Sequence, residues 1–120
     1  MKYMLLIHDS EKGWAALSET ERQEIMAGYR RFSAQIQATG QFISGSQLQA
    51  TSNATSVRLR NGKRLVTDGP FAETREQLGG FFLVEARDLD EAIGLAERLP
   101  SAQMGTIEIR PLAESRSPHS

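Results

Sequence analysis

Four consecutive residues, Glu73, Thr74, Arg75 and Glu76, bring two carboxylates, a hydroxyl and a guanidinium into one connector, DGPFAETREQLGG, between two apolar runs. No turn geometry demands that set, so the sequence marks it as a polar pocket wall or a loop closing over one. Glu73 and Glu76 are of the type that serves as acid and base when burial drives two carboxyl pKa values apart. Asp68, Phe71, Thr74 and Arg75 are the flanking groups that would hold a ligand. The structural alternative is a solvated loop in which Arg75 pairs with a neighbouring Glu. In that reading Asp68 and Gly69 start a turn, Pro70 fixes it, Phe71 plugs the core, and Gly79 with Gly80 let the chain enter a crowded strand.

His8 and Asp9 form a second catalytic candidate. They end an apolar run, where the loops of a sandwich often gather a site, and His is the natural proton carrier near neutrality; a lone His beside Asp is also a common structural pair. Tyr29 reads as a packing residue, and Trp14 as a packing residue that can double as a pocket lid. Metal binding has little support, since there are two His, no Cys, and no ligand pair at helical or turn spacing. No glycine pattern cradles phosphate. The expected chemistry is therefore acid-base chemistry with no metal and no cofactor.

These groups sit in a chain of 120 residues with 14 Lys plus Arg against 15 Asp plus Glu and 39% hydrophobic residues, the composition of one ordinary soluble domain. Near-neutral charge argues against nucleic acid as a partner, because phosphate binding rests on clustered Lys and Arg. The one basic cluster, Arg58, Arg60, Lys63 and Arg64, is explained by a solvated hairpin. No apolar run approaches the roughly 20 residues of a membrane span. The opening MKYMLLIHDS reads as a strand rather than a signal peptide, since Asp9, Glu11 and Lys12 stand where small cleavage-site residues belong. Absence of Cys fits a reducing compartment. A cytoplasmic location is the expectation.

The elements that must position the candidates follow from periodicity. Tyr3 to His8 alternates as a strand apolar on both faces. A loop with Gly13 and Trp14 precedes the capping box of Ser18 and Glu21, which opens a helix over 19–39 with an apolar stripe of Ile25, Tyr29, Phe32 and Ile36. Gly28 is its weak point and Gly40 its left-handed end. Phe42 to Leu48 is a strand and Gln49 to Ala54 a loop. Ser56 to Thr67 flanks Asn61-Gly62, the strongest short hairpin signal, with Val57, Leu59 and Val66 on a buried face and Arg58, Arg60 and Lys63 on a wet one. Gly80 to Ala86 is a strand, Asp88 and Glu91 cap a helix that ends near Leu99 before Pro100, and Thr106 to Arg110 closes the sheet. Residues 1–112 make the domain and 113–120 a polar tail expected to be flexible.

This order is that of an α+β, ferredoxin-like βαββαβ sandwich with an inserted β-hairpin. Two helices cover one face of such a sheet, while the first and third core strands are apolar on both. A second copy, sheet against sheet, is the expected cover, and an open apolar ligand face the alternative. The first and third core strands are expected side by side and parallel, which sets His8 and the connector at opposite ends of the sheet.

The connector DGPFAETREQLGG, together with MKYMLLI, EARDLDEA and IEIRP, resembles the DGPF-motif branch of the YCII-related family over nearly the whole chain, with Arg75 where Lys is usual. That exchange replaces a point donor with a planar fork. The resemblance implies a ferredoxin-like fold that dimerises into an α/β barrel and no settled activity. The wider family is associated with catalysis through a His on the first helix and an Asp before a Pro at the end of the second. Here the first helix has no His and Leu99 precedes Pro100, so that activity is not carried over. Two functions stay open. One is a homodimer binding a small polar or aromatic molecule near the DGPF loop, with acid-base chemistry. The other is a noncatalytic regulatory or partner-binding protein, in keeping with the branch's frequent encoding near sigma factors.

Overall fold

The computed structural model describes residues 1–113, so the expected tail lies, but for its first residue, outside the described residues. The first strand, β1 (Lys2–Asp9), buries every second side chain, with Tyr3, Leu5 and Ile7 at most 7% exposed. Where a loop was expected, Glu11–Ala16 forms a short helix, α1, capped by the Ser10 hydroxyl accepting from the Gly13 amide. A single turn and a half is too short for periodicity to reveal, and the cap is its only local signal. The capping box of Ser18 and Glu21 opens α2 (Glu19–Ala38), and Gly40 beyond its end takes φ 78°. β2 (Phe42–Gln47) follows, and a one-turn 3₁₀ segment (Thr51–Asn53) leads into the hairpin of β3 (Thr55–Arg60) and β4 (Lys63–Asp68). β5 (Gln77–Glu85), α3 (Leu89–Glu97), a second 3₁₀ turn (Pro100–Ala102) and β6 (Thr106–Pro111) complete the described chain.

β1, β2, β5 and β6 make one sheet in the order β2-β5-β1-β6, with every pairing antiparallel. The architecture is α+β, with a topology compatible with the ferredoxin-like sandwich. β1 and β5, the first and third core strands, are therefore not parallel as expected. The chain enters β5 at the end where β1 finishes, so the connector and the His8-Asp9 pair lie at the same end of the sheet. Helices α2 and α3 cover the face of Tyr3, Leu5, Ile7 and Val84, with Phe32, Ile36, Leu95 and Leu99 closing the core. Met4 and Leu6 of β1, and Phe81 and Leu83 of β5, point the other way and stay partly exposed. The molecule is 19 Å thick, the depth of one helix layer on one sheet.

The hairpin forms in the expected register, Val57 opposite Val66 and Arg58 opposite Leu65, around Asn61 and Gly62, both with positive φ. Its apolar face is not buried within the chain. Val57, Leu59 and Val66 are 64%, 67% and 56% exposed. Residues of this pattern were expected to face a core, and the hairpin instead makes its own two-stranded sheet apart from the main one.

One glycine sets how α2 docks. A Cβ on Gly28 would stand 2.8 Å from Cγ of Pro100, so the helix touches the 3₁₀ turn backbone to ring. In an open helix Gly→Ala gains up to about 1 kcal/mol from propensity. Here we expect Gly28→Ala to reverse that sign, lowering stability by about 1–3 kcal/mol through overpacking, read as a fall in the thermal midpoint. A rise in the midpoint would show that the contact yields freely.

Candidate functional site

The polar connector is a surface loop. Phe71 is 82% exposed, a correction to its expected place as a core plug, and Asp68, Glu73, Thr74 and Arg75 are exposed as well. Arg75 joins no ion pair among the described residues. The Thr74 hydroxyl donates to the Glu76 carbonyl (2.5 Å), the Gln77 amide donates to the Thr74 carbonyl (2.5 Å), and Glu76 Oε1 accepts from the Thr106 hydroxyl (2.9 Å). None of Glu73, Thr74, Arg75 and Glu76 lines the main cleft; what the loop delivers to it is Gln77.

A break in register explains that delivery. Ile7 pairs with Gly80, but His8 pairs with Leu78, leaving Gly79 as the extra residue. A bulge reverses the alternation beyond it. Gln77 therefore faces the same side as its partner Asp9, the helix side, while Leu78 and His8 face the open side. The adjacent candidates His8 and Asp9 are thus separated by the sheet itself. His8 Nε2 lies 3.1 Å from Glu108 Oε1, and Glu108 also pairs with Arg110 at 3.3 Å. Asp9 belongs to the cleft.

That cleft, about 730 Å³, lies between α1, α2 and the free ends of β2 and β5. Its floor is a place of close backbone approach. Gly45 of β2 and Gly80 of β5 line its floor, and a Cβ at either would come within 2.9 Å of Phe82 Cδ1 and the Ser46 carbonyl oxygen respectively. The walls are mainly apolar and aromatic, from Phe42, Phe82, Met26 and Trp14. Phe82 stands edge-on to both Phe32 and Phe42, with centroids 5.1 and 6.4 Å away. Trp14 reaches the cleft from α1, whose position is fixed at its first residue. The Glu11 amide donates to Gln77 Oε1 (2.9 Å), and the Glu11 carboxylate accepts from the amide (2.8 Å) and hydroxyl (2.7 Å) of Thr51.

One wall carries a buried polar chain. Tyr29 of α2 and Asp9 of β1 both line the cleft, and Ser101, 1% exposed, lies behind them. The Ser101 hydroxyl donates to Asp9 Oδ2 at 2.5 Å and is also hydrogen-bonded to the Tyr29 hydroxyl. A serine hydroxyl has one hydrogen. With that hydrogen given to Asp9, Tyr29 must donate to Ser101, and the chain runs in one direction from phenol to carboxylate. Asp9 Oδ1 is buried without a hydrogen-bond partner and lies against Gly105, where a Cβ would collide with it and with the His8 carbonyl oxygen. Burial pushes the Tyr29 phenol above its ordinary value of 10.0; the Ser101 hydrogen bond opposes the rise and the negative charge of Asp9 adds to it.

Sequence reasoning placed Asp9 among the candidates but read Tyr29 as packing and did not consider Ser101. Tyr29 does lie on the apolar stripe of α2, and nothing local distinguishes a tyrosine that packs from one that also bonds. Among the described residues no group of three His, Asp or Glu is arranged to hold a metal ion.

The fold is an α+β sandwich with a helix-flanked cleft at one end of its sheet, and comparison with known proteins gives its family. The chain belongs to the YCII-related domain family, whose model matches residues 1–116. It is 36% identical over 115 residues to the uncharacterized protein R00369 of Rhizobium meliloti (strain 1021), covering 94% of this chain and 93% of that protein.

The polar chain makes a spectroscopic prediction. The sequence has two tyrosines, so an ultraviolet titration of the wild type should show Tyr29 ionising above 10.0, and Tyr29→Phe should remove that step. Asp9→Asn removes the neighbouring negative charge and is expected to bring the midpoint down. The fold prefers the neutral phenol, so this contribution to stability is complete below the ordinary tyrosine value and is lost as pH rises through the elevated folded one. A midpoint that Asp9→Asn leaves in place or raises would refute the coupling.

Proposed function

We propose that this protein binds a small, largely aromatic molecule in the cleft between α1, α2 and the sheet, with Asp9 and Tyr29 as its polar contacts, and that it works as a cytoplasmic homodimer of the DGPF-motif branch. The observation that carries the reading is the coincidence of a glycine-floored, aromatic-walled cleft with a hydrogen-bonded Tyr29-Ser101-Asp9 chain on its wall. An apolar cavity with a few convergent polar groups is the usual form of a small-molecule site. Of the residues singled out from the sequence, Asp9 is the one this proposal keeps as an acid-base group. The DGPF loop serves through Gln77, which holds the start of α1. The chemistry open to the site is proton transfer along the polar chain, which needs no cofactor.

The homodimer is supported by the uncovered side of the sheet. Met4, Leu6, Phe81 and Leu83 form an apolar strip there between polar neighbours, and a second sheet laid against it would remove the strip from water. No helix of the described residues is long and apolar enough to cross a membrane. A noncatalytic, partner-binding role is favoured by a different feature, the exposed Val57, Leu59 and Val66 of the hairpin.

The single tryptophan lies on the cleft, so its emission reports occupancy directly. A set of small aromatic fragments is expected to shift Trp14 emission saturably in the wild type and not in Ser33→Phe, which places a ring in the cleft from α2. If no fragment gives a saturable shift, the cleft reading fails. For the assembly, sedimentation equilibrium should return twice the 13.3 kDa chain mass, and Leu83→Arg should return the monomer. A monomeric wild type would overturn the homodimer.

A further inference from the structure

We propose that the cleft selects neutral aromatic hydrogen-bond donors, molecules of the phenol class, over aromatic carboxylates and over aromatics whose only polar atom is an acceptor. The inference rests on the small-molecule reading above and follows from counting hydrogens on the polar wall.

The Tyr29-Ser101-Asp9 chain is terminated by a carboxylate, which accepts only. The Ser101 hydrogen goes to Asp9 Oδ2 and the Tyr29 hydrogen goes to Ser101. Each hydroxyl has then spent its one donor. The Tyr29 oxygen keeps acceptor capacity alone, and Ser101 is sealed behind the wall at 1% exposure. A ligand that meets this wall with a carbonyl, ether or carboxylate oxygen faces acceptor against acceptor. A ligand that meets it with O–H or N–H completes the chain and extends it to four members, whose bonds polarise one another toward the Asp9 carboxylate.

Charge acts in the same direction. Asp9 and Glu11 both line the cleft, so an anionic ligand enters toward two carboxylates. Arg30, the cation on the wall, is exposed, and water screens its attraction. The aromatic side chains Phe42, Phe82 and Trp14 supply the surface for a ring. A ring with one donor is the ligand that satisfies both parts of the cleft.

Phenol, anisole and benzoate share the ring and differ in the polar group, so their titration against Trp14 emission in the full chain isolates the donor. Phenol is expected to bind about tenfold more tightly than anisole, the worth of one hydrogen bond of this kind, although anisole is the more apolar of the two. Benzoate is expected to be the weakest. Tyr29→Phe should abolish the preference of phenol over anisole. Ser101→Ala releases the Tyr29 hydrogen and should narrow the preference, an independent check should the Tyr29 variant misfold. If anisole or benzoate binds as tightly as phenol, the donor rule is wrong and the aromatic cleft stands. If none of the three produces a saturable shift while other aromatic fragments do, the donor rule is again wrong. If no aromatic fragment does, both the rule and the cleft reading fall together.

Discussion

β1 is bonded on both sides at once, and its register with β5 and β6 decides which side of the sheet His8, Asp9 and Gln77 face. The antiparallel pairing to β5 brings the end of β1 together with the start of β5, which makes Asp9 and Gln77 neighbours across strands far apart in sequence. The bulge at Gly79 then turns Gln77 inward with Asp9 and Leu78 outward with His8. Without that extra residue, alternation would send Gln77 to the open face, and α1 would lose the side chain that accepts from its first amide. The contact that holds the start of α1 against β5 thus depends on one irregularity in one ladder.

The cost of placing a carboxylate there explains its neighbours. A half-buried Asp is tolerable only if hydrogen bonds replace the water it loses. Ser101 provides one such bond from a 3₁₀ turn, and that turn reaches the site because Pro100 rests on Gly28 of α2. Tyr29 is the next residue on the same helix, so this one close approach sets its hydroxyl beside Ser101. Gly105 performs the corresponding service on the other side, leaving room for Asp9 Oδ1 and the His8 carbonyl oxygen. The glycines around this site are thus requirements of close approach rather than of flexibility. The unpartnered Oδ1 is the one buried side-chain oxygen left unsatisfied among the described residues, at the residue around which the polar wall is built.

What could be read from the sequence was what local physics determines. Asn61 and Gly62 force positive φ, so the hairpin and its register were legible; Ser18 with Glu21, and Gly40, fixed both ends of α2. The alternation of Tyr3, Leu5 and Ile7 gave β1 and its two apolar faces. Apart from α1, which was expected as a loop, the misreadings concern which way something faces. Phe71 was assigned to the core because it is large and apolar, yet residue type cannot tell whether a surface loop turns its Phe inward. The relative direction of β1 and β5 is a property of chain connectivity, and an error there placed His8 and the connector at opposite ends. Asp9 was recognised beside His8, but adjacency in a strand means opposite faces, and only one of the two could enter the cleft. Tyr29 and Ser101 are 72 residues apart, and no local pattern links them.

The same physics leaves two apolar surfaces without a partner among the described residues. A two-stranded hairpin with both faces in water is marginal by itself, and β3 and β4 expose Val57, Leu59 and Val66 on one side with Arg58, Arg60 and Lys63 on the other. Among the described residues the main sheet has a helical layer on one side only. Regular alternation of apolar residues on surfaces left wet costs solubility unless something covers them. The cleft, by contrast, is floored by Gly45 and Gly80, where the backbones of β2 and β5 and the Phe82 ring come too close together for a Cβ. Uncovered apolar surface on the outside is what a second macromolecular surface would relieve, and a cleft walled by aromatic side chains is what a small molecule would fill, so the proposals of an assembly and of a ligand rest on separate physical grounds.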